Sequence, residues 1–415
     1  MGTAHSCMVD KSGGKGKWTD LLLKNKCLTF FGVSVVFLFF IVIIFLVEIL
    51  SPPKGGSSGS CKRPSFDDTK DIKNSLISDF DGMDFDDIQN MNADIEETEL
   101  QDVYIASSYN TCRAGGGNTD LVDIFPIEHA LKRGARLLDF EIYYIDGKAA
   151  VAASDKSNYK MKSTTNCIPI GVVLEHVDNL AFNPSVVSNP SDPLFLNFRI
   201  KSKDPSIGEL LFDAIDKNLD SNRLLAKISN RNGDTLLETK MGEFKGKIII
   251  ICNNLEPSTT ESTQNAARGN IGDKYLRHEL INLSDNTSTR IRKKRFTQVT
   301  EMSDIDAFTD KNRNGVCLVF PDLFNCCKNM NHNTPASYGC QMIAMNYQTM
   351  DANLENYFGW FLSSSFKIKP EGLRSIPNAI EIDLRDHDAV AAWSQTRCSP
   401  TVADGVGSPT CITLR

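Results

Sequence analysis

The chain has 415 residues, a formal net charge of −7 and 41% hydrophobic residues. A chain of this length can hold one large domain of about 250 to 300 residues together with accessory segments. The acidic balance and the lack of a long basic patch argue against a nucleic-acid partner. The sequence therefore favours a globular protein that binds or acts on something other than DNA or RNA.

An uncharged, apolar run covers residues 28–47. At about 1.5 Å per residue, a helix of this length crosses the hydrocarbon core of a bilayer. The run is longer than the apolar part of a signal peptide, and it predicts a single transmembrane helix. Lysines precede it, so the positive-inside rule predicts a cytosolic N-terminus. The following domain would then be extracellular, lumenal or on a virion surface.

Several modification sites are consistent with this topology. The opening MGTAHSC fits the myristoylation pattern at Gly2, with Cys7 as a palmitate acceptor, and a chance match is the alternative. Of the 12 cysteines, all but Cys7 and Cys27 follow the apolar run. An even number in an exported chain suggests disulfides, whose pairing the sequence leaves open. Asn282 and Asn286 begin glycosylation sequons in a polar stretch. The membrane is the expected partner, and protein partners are unknown.

Composition divides the chain into consecutive segments. They are a cytosolic tail (1–27), the transmembrane helix (28–47), a linker and acidic stalk (48–99), a first half domain (100–254), a polar linker (255–295), a second half domain (296–375) and a C-terminal extension (376–415). The polar linker ends in RKKR, Arg292 to Arg295. This basic stretch is interpreted as a solvated loop, with a proprotein-processing site as the alternative.

Strands and amphipathic helices alternate from about residue 100 onward. The predicted strands are DVYIASS, ARLLDFEIYY, KAAVAAS, DPLFLNFRI and GKIIIIC, and the predicted helices are IFPIEHALKRG, PIGVVLEHVDNLAF and SIGELLFDAIDKNL. Such alternation indicates parallel βα units, and this number of units favours an α/β barrel.

Four stretches in the two half domains carry a connected set of motifs. They are YIASSYNTC (104–112), ALKRGARLLDFEIYYIDGK (130–148), FKGKIIIICN (244–253), and GCQMIAMNYQTMD (339–351) with KIKPEGLR (367–374). Together they resemble the X and Y halves of phosphoinositide-specific phospholipase C, within the PLC-like phosphodiesterase superfamily. The resemblance covers roughly residues 100 to 375. It implies a distorted TIM (β/α)8 barrel made of an X-like and a Y-like half.

The resemblance also implies a chemistry, which this chain keeps only in part. The family uses one histidine as general base, a second as general acid, and a calcium ion that activates the inositol hydroxyl and neutralises the phosphate. Tyr109 stands at the position of the first histidine, and Asp155 or Ser154 stands near that of the second. A phenol is a poor base at neutral pH, so both catalytic positions are degenerate.

The calcium and phosphate positions are altered as well. Asn110, Asp139 and Glu141 match calcium ligands of the family, with the two acids in swapped order. Arg199 stands where the resemblance calls for a glutamate, and a cation there opposes a divalent metal. Trp360 falls where a phosphate-binding arginine is expected. We therefore expect no cofactor, and calcium only if Asn110, Asp139 and Glu141 suffice to hold it.

Two functions remain open. The leading hypothesis is a membrane-anchored phospholipase C-like protein that lacks the usual calcium/histidine phosphodiesterase activity and acts in binding or structure. The alternative is a phosphoric diester hydrolase acting on inositol phospholipids or glycolipids through an altered site. There Arg199 would neutralise the phosphate in place of calcium, beside Tyr109 and Asp155. An inositol phospholipid or another phosphorylated ligand is the small-molecule partner expected.

Overall fold

The computed structural model describes residues 88–114, 121–154, 162–202, 206–225, 233–253, 280–284, 288–323 and 328–375, and the single positions 74, 78 and 204. All of them belong to the unit Gly59–Arg415. No helix in these ranges is long and apolar enough to cross a membrane. The run 28–47 lies outside them, as do Gly2, Cys7, Asp155 and Asn286. The membrane span and the lipidation sites therefore stay predictions.

The described chain alternates between strands and helices. The strands are β1 Val103–Ser108, β2 Arg113–Ala114, β3 Leu121–Val122, β4 Leu137–Ile145, β5 Lys148–Ala152, β6 Ile168–Pro169, β7 Leu194–Ile200, β8 Ile248–Asn253, β9 Ile291–Arg295, β10 Val316–Phe320, β11 Met342–Met345 and β12 Phe366–Ile368. The α-helices are α1 Ala93–Glu96, α2 Phe125–Lys132, α3 Ile170–Ala181, α4 Ile207–Asn218, α5 Gly233–Leu237, α6 Phe296–Thr300, α7 Ile305–Arg313, α8 Asn333–Ser337 and α9 Ala352–Trp360. Short 3-10 turns lie at Leu100–Asp102, Met241–Phe244 and Glu371–Leu373.

A 10-stranded sheet organises the fold. Parallel strands follow one another in space in the order β8, β7, β4, β1, β11, β10 and β9. Antiparallel β5 pairs with β4, β6 pairs with β5, and β12 pairs with the first half of β1. A parallel sheet with helical crossovers confirms the predicted α/β class. In the described residues, β8 makes one isolated parallel bridge, from Ile251 to Leu283, which precedes β9 in the sequence. Closure of the sheet into a barrel therefore stays a prediction.

Both faces of the sheet are buried, as in other parallel sheets. Side chains alternate along each strand between two core clusters. On one face Ile105, Phe195 and Leu318 pack together, whereas on the other Ala106, Leu196 and Val319 join the apolar sides of helices such as α3 and α4. The strands can be apolar on both faces because the helices cover one of them. Carboxyl ends of adjacent strands are thereby held side by side.

The elements predicted from apolar patterns are confirmed, including β1, β4, β5, β7 and β8 and the helices α2, α3 and α4. Gly134, predicted to end α2, follows that helix with φ +81°. This left-handed conformation favours glycine, and a Cβ atom here would also lie 2.8 Å from Ile88 Cδ1, so the isoleucine side chain would have to shift.

The basic stretch RKKR was wrongly interpreted as a solvated loop. It forms most of β9, which pairs with β10 in parallel along its full length. Lys293 and Arg295 are each only 7% exposed. Long aliphatic stems can cover apolar surface while the charged groups find partners, so a run of four basic residues can still be a strand. A processing site in the folded domain is excluded by the same burial.

The expected disulfides are found in part. Cys167 is disulfide-bonded, whereas Cys112, Cys317 and Cys340 are buried and free. Buried free cysteines behave as small apolar side chains, and an even count therefore does not imply complete pairing.

The first glycosylation sequon lies in an ordered position instead of a polar loop. Asn282 Nδ2 donates to the Leu225 carbonyl at 2.9 Å, and Asn282 Oδ1 accepts from the Ile250 N–H at 2.7 Å. The next residue, Leu283, is buried against β8. The Asn282 amide therefore bridges two segments of the fold, and its glycosylation stays a prediction.

Candidate functional site

Polar side chains meet at the carboxyl ends of three neighbouring parallel strands. Asn110 follows β1, Asp139 and Glu141 lie on β4, and Asn197 and Arg199 lie on β7. Asp139 pairs with Asn197 and Glu141 pairs with Arg199 across the β4–β7 ladder. Because side chains two residues apart on a strand share a face, these four point to the same side of the sheet.

Arg199 is the centre of this cluster. Its Nε and Nη2 atoms donate to the two carboxylate oxygens of Asp139 at 2.8 and 2.7 Å. Nη1 donates to Glu141 Oε1 at 2.8 Å, and Nη2 also donates to Asn110 Oδ1 at 2.6 Å. The side chains of Arg199, Asp139 and Glu141 are each 0% exposed. A bidentate, fully enclosed ion pair of this kind fixes the geometry of all its members.

Further donors complete the hydrogen bonding of the two carboxylates. Asn197 Nδ2 donates to Asp139 Oδ1 at 2.6 Å, and the Asn110 backbone N–H donates to Asp139 Oδ2 at 3.0 Å. The Tyr143 hydroxyl donates to Glu141 Oε2 at 2.7 Å. Asn110 adopts φ +43°, a left-handed conformation that asparagine tolerates better than most residues. This turn directs both its backbone N–H and its side chain toward the cluster.

Tyr109 covers the guanidinium of Arg199. The Arg199 Cζ atom lies 4.7 Å from the Tyr109 ring centroid and 5.1 Å from that of Phe320. Arg295 Nη1 donates to the Tyr109 hydroxyl at 3.2 Å and to the Pro321 carbonyl at 2.6 Å. The tyrosine is buried, and its ring and hydroxyl each contact a cation.

The electrostatics of the cluster favour an internal ion pair. Burial alone would raise the pKa of Glu141, but Lys201 and Arg199 outweigh it and lower that pKa below its usual value. Burial alone would lower the pKa of Arg199, but Asp139 and its other neighbours raise it. Lys201 is buried beside them, and desolvation lowers its pKa to about 8 in spite of the nearby Glu141. Arg199 is thus a permanent cation, whereas Lys201 changes charge near neutral pH.

Of the predicted site residues, Tyr109, Asn110, Asp139, Glu141 and Arg199 are brought together. Asp155 lies outside the described residues.

Trp360 lies elsewhere, on α9. Its ring packs against Tyr104 at 4.8 Å and His332 at 5.0 Å, and Lys367 Nζ lies 5.6 Å from it. These contacts place Trp360 in an aromatic cluster on the helical side of the sheet, away from the carboxylates.

Sequence reasoning missed other members of the site. Asn197 precedes Arg199 by two residues, Lys201 follows it by two, and Tyr143 follows Glu141 by two. The two-residue period of a strand was the signal that could have found them. Arg295 was missed because RKKR was assigned to a loop.

The residues present do not fit a bound calcium ion. Calcium takes about six to eight oxygen ligands at roughly 2.3–2.6 Å. Here the oxygens of Asn110, Asp139 and Glu141 are already acceptors for Arg199, whose guanidinium lies among them. The space bounded by these three residues and β5 is too small to hold a water molecule. An ion could enter only by displacing a buried arginine.

Comparison with known proteins identifies the fold. No protein-family model matches the chain, and no curated protein matches it. Among solved structures, S. officinalis PLC21 is similar at 18% identity and a TM-score of 0.53, over 68% of this chain and 38% of that chain. L. pealei PLC21 is similar at 17% identity and a TM-score of 0.49, over the same shares. A calcium-dependent phosphoinositol-specific phospholipase C from a Pseudomonas species is similar at 10% identity and a TM-score of 0.43, over 69% of this chain and 99% of that chain.

These similarities define a class of fold. The parallel sheet, with its polar cluster at the carboxyl strand ends, is an α/β fold. More narrowly, the fold is phospholipase C-like, similar to that of the S. officinalis PLC21 structure, as the sequence motifs predicted. The chain spans well under half the length of the PLC21 chains it resembles.

Proposed function

We propose that this chain is a membrane-anchored phospholipase C-like protein that lacks calcium/histidine phosphodiesterase activity and acts in binding or structure. The observation that carries the proposal is the position of the Arg199 guanidinium. It lies among Asn110, Asp139 and Glu141, the side chains that match calcium ligands of the family. An internal cation therefore takes the place that an enzyme of this family needs for a metal ion.

Arg199 is also poorly suited to binding a substrate phosphate. A guanidinium has five N–H donors, and four hydrogen bonds join Arg199 to Asp139, Glu141 and Asn110. Its side chain is fully buried. Moving it toward a phosphate would leave two carboxylates buried without their cation, which costs several kcal/mol. Arg199 therefore supports the ion-pair role and disfavours the role of a calcium substitute that contacts the substrate.

Tyr109 supports the same conclusion at the general-base position. Its hydroxyl oxygen already accepts a hydrogen bond from Arg295 Nη1 at 3.2 Å, and its ring covers the Arg199 guanidinium. One general acid or base contributes roughly 10²- to 10⁴-fold to rate. Without the base or the metal, we expect no turnover of inositol phospholipids.

One observation favours the second candidate, a phosphoric diester hydrolase with an altered site. Lys201 has a pKa lowered to about 8 and lies beside Glu141, so it could transfer a proton near neutral pH. In that case Lys201 would transfer the proton, and Arg199 would stay in its ion pair.

Release of inositol phosphate from phosphatidylinositol vesicles tests both candidates. The full chain in detergent micelles is compared with Tyr109→Ala and Lys201→Met, with calcium and with a chelator. The proposal expects no release above the protein-free blank for any of them. Release by the wild type that falls in Tyr109→Ala would refute it. Release that resists the chelator and falls in Lys201→Met would establish the altered-site hydrolase.

A further inference from the structure

Two free cysteines lie together at the amino-terminal end of the sheet, opposite the Arg199 cluster. Cys317 is the second residue of β10, and Cys340 comes two residues before β11. Both side chains are completely buried, and both belong to the core cluster on the helical side of the sheet. Neither takes part in the proposed function.

Strand pairing brings the two cysteines within bonding range. Leu318 pairs with Met342 in the parallel β10–β11 ladder, so Cys317 lies beside Gln341. The Cys317 N–H donates to Gln341 Oε1 at 3.0 Å. Cys340 immediately precedes Gln341 in the sequence. A strand spacing of about 4.8 Å and a rise of about 3.3 Å therefore place the two Cα atoms roughly 6 Å apart. Disulfides span Cα separations of about 4.4–6.8 Å.

The surroundings of the two thiols differ. A hydrogen bond from Cys340 lowers the pKa of the Cys317 thiol against the effect of burial, and Arg292 acts in the same direction. Burial raises the pKa of the Cys340 thiol. Asn312 Nδ2 contacts Cys340 Sγ at 3.5 Å, and Lys369 Nζ donates to the Asn312 carbonyl at 2.8 Å. Nearby cations favour the thiolate form, which is the form that attacks a disulfide.

We propose that Cys317 and Cys340 are a redox pair that closes to an intramolecular disulfide. The oxidant is a small-molecule disulfide such as glutathione disulfide. When local opening of the turn before β11 exposes the pair, one cysteine thiolate attacks a glutathione sulfur and releases a glutathione thiolate, and the second cysteine then attacks the mixed disulfide and releases the other. Two thiols lose two protons and two electrons, and one glutathione disulfide becomes two glutathione thiols.

The bond would join the start of β10 to the turn that precedes β11. It closes a loop of roughly 24 residues, which restricts the unfolded chain. Because it lies at the strand ends opposite Arg199, it would change stability and leave the polar cluster intact. The redox state of the pair would also depend on the compartment in which the domain resides. The pair should be closed if the domain is exported, as the N-terminal sequence predicts, and open in a reducing cytosol.

Redox titration of the full chain in detergent micelles tests the proposal. Samples that start reduced and samples that start oxidised are equilibrated in glutathione buffers, quenched with acid, unfolded, alkylated and analysed as peptides by mass spectrometry. We expect a peptide linking Cys317 to Cys340, lighter by two hydrogens, reached from both directions. Cys112, which is also buried and free, is an internal control and should still be alkylated in the same buffers. Alkylation of Cys317 and Cys340 in the most oxidising buffer, or glutathione adducts in place of the link, would overturn the proposal.

Thermal unfolding provides an independent readout. The oxidised wild type should melt about 5 to 10 °C above the reduced wild type. Cys340→Ala should lack this 5 to 10 °C component, and any smaller shift that remains belongs to the Cys167 disulfide. A redox-dependent shift as large in Cys340→Ala as in the wild type would assign the effect to other cysteines and overturn the pairing.

Discussion

Removal of Arg199 is the sharpest test of the internal cation. Arg199→Ala deletes the guanidinium and leaves Asp139 and Glu141 fully buried without it. Breaking one buried ion pair costs about 3–5 kcal/mol. Here a single cation serves two carboxylates and the Asn110 amide, so we expect a loss of about 5 kcal/mol or more at neutral pH. Domains are commonly stable by about 5–15 kcal/mol, and the variant should therefore be close to unfolding.

The pH dependence of stability should weaken in the variant. In the wild type the pKa of Glu141 is lowered, so its contribution to stability is present above the unfolded value and is lost as pH falls through the folded value. Without Arg199 the pKa of Glu141 should move upward, because burial is then opposed only by Lys201, Arg295 and the Tyr143 hydrogen bond. The stability that ionised Glu141 contributes above its unfolded value is then smaller. The difference in unfolding free energy between the two proteins should consequently be larger at pH 8 than at pH 5.

Calcium should partly rescue the variant. The Arg199→Ala substitution leaves a cavity lined by Asn110, Asp139 and Glu141, where a cation can replace the guanidinium. A free calcium concentration one hundred times the dissociation constant would stabilise the folded variant by about 2.7 kcal/mol. Urea unfolding followed by circular dichroism, at pH 5 and pH 8 and with and without calcium, measures all three effects. Arg136→Ala is the matched control, since it also removes a fully buried arginine, and its bonds join Ala181 and Asn189 carbonyl groups instead of two carboxylates.

Two results would refute this reasoning. The first is an Arg199→Ala protein as stable as the wild type, because the guanidinium would then contribute nothing to the fold. The second is a calcium-dependent shift of the wild type as large as that of the variant. That shift would mean that the ion binds without displacing Arg199, contrary to the geometry of the site.

Other consequences can be measured by the same unfolding assay. Burial lowers the pKa of Lys369 to about 7, so this residue should add up to about 1.4 kcal/mol of stability per pH unit between pH 7 and 10, and Lys369→Met should lose that part of the slope, while the part due to Lys201, whose pKa is lowered to about 8, remains; a slope unchanged in Lys369→Met would exclude Lys369 as a source. Burial and Lys367 lower the pKa of His332 to about 4, so the wild type should lose stability as pH falls from 6.5 to 4, and His332→Phe should lose less; parallel acid profiles would contradict this. A Cβ at Gly315 would lie 2.2 Å from a backbone oxygen, so Gly315→Ala should cost about 1–3 kcal/mol, whereas Gly359→Ala meets nothing within 4 Å and should be neutral or mildly stabilising; equal effects would show that the backbone contact at Gly315 relaxes.

The sequence predicted that the site residues meet, because it predicted which segments are strands and where each strand ends. Asn110, Asp139, Glu141 and Arg199 each follow or end an apolar run, and parallel strands bring such ends together. The state of Arg199 could not be predicted in the same way. Whether a guanidinium faces solvent or two carboxylates depends on the β4–β7 register, which sets Glu141 directly beside Arg199. That register is a property of the assembled sheet.

The failures in prediction share a physical cause. RKKR was assigned to a loop because basic residues are usually solvated, but Lys293 and Arg295 are buried in a strand that pairs throughout its length. The even cysteine count suggested disulfides, and Cys167 forms one, but the count could not show that Cys112 would be free and buried. In each case tertiary burial overrides what the residue type favours locally. Composition indicates what a side chain prefers in water and carries little information on which partners a fold can supply.

The persistence of two acids in a site that does not fit calcium also has a physical explanation. Once Arg199 occupies the centre of the cluster, Asp139 and Glu141 serve as its counter-ions, and loss of either would leave a buried guanidinium underpaired. Asn110 and Asn197 are needed for the same reason, because each makes a hydrogen bond to a member of the ion pair where no water can do so. The resemblance to a metal site therefore does not require a metal-dependent function. Burial alone is sufficient to maintain it, since the cluster can be altered at low cost only by changing its charged members together.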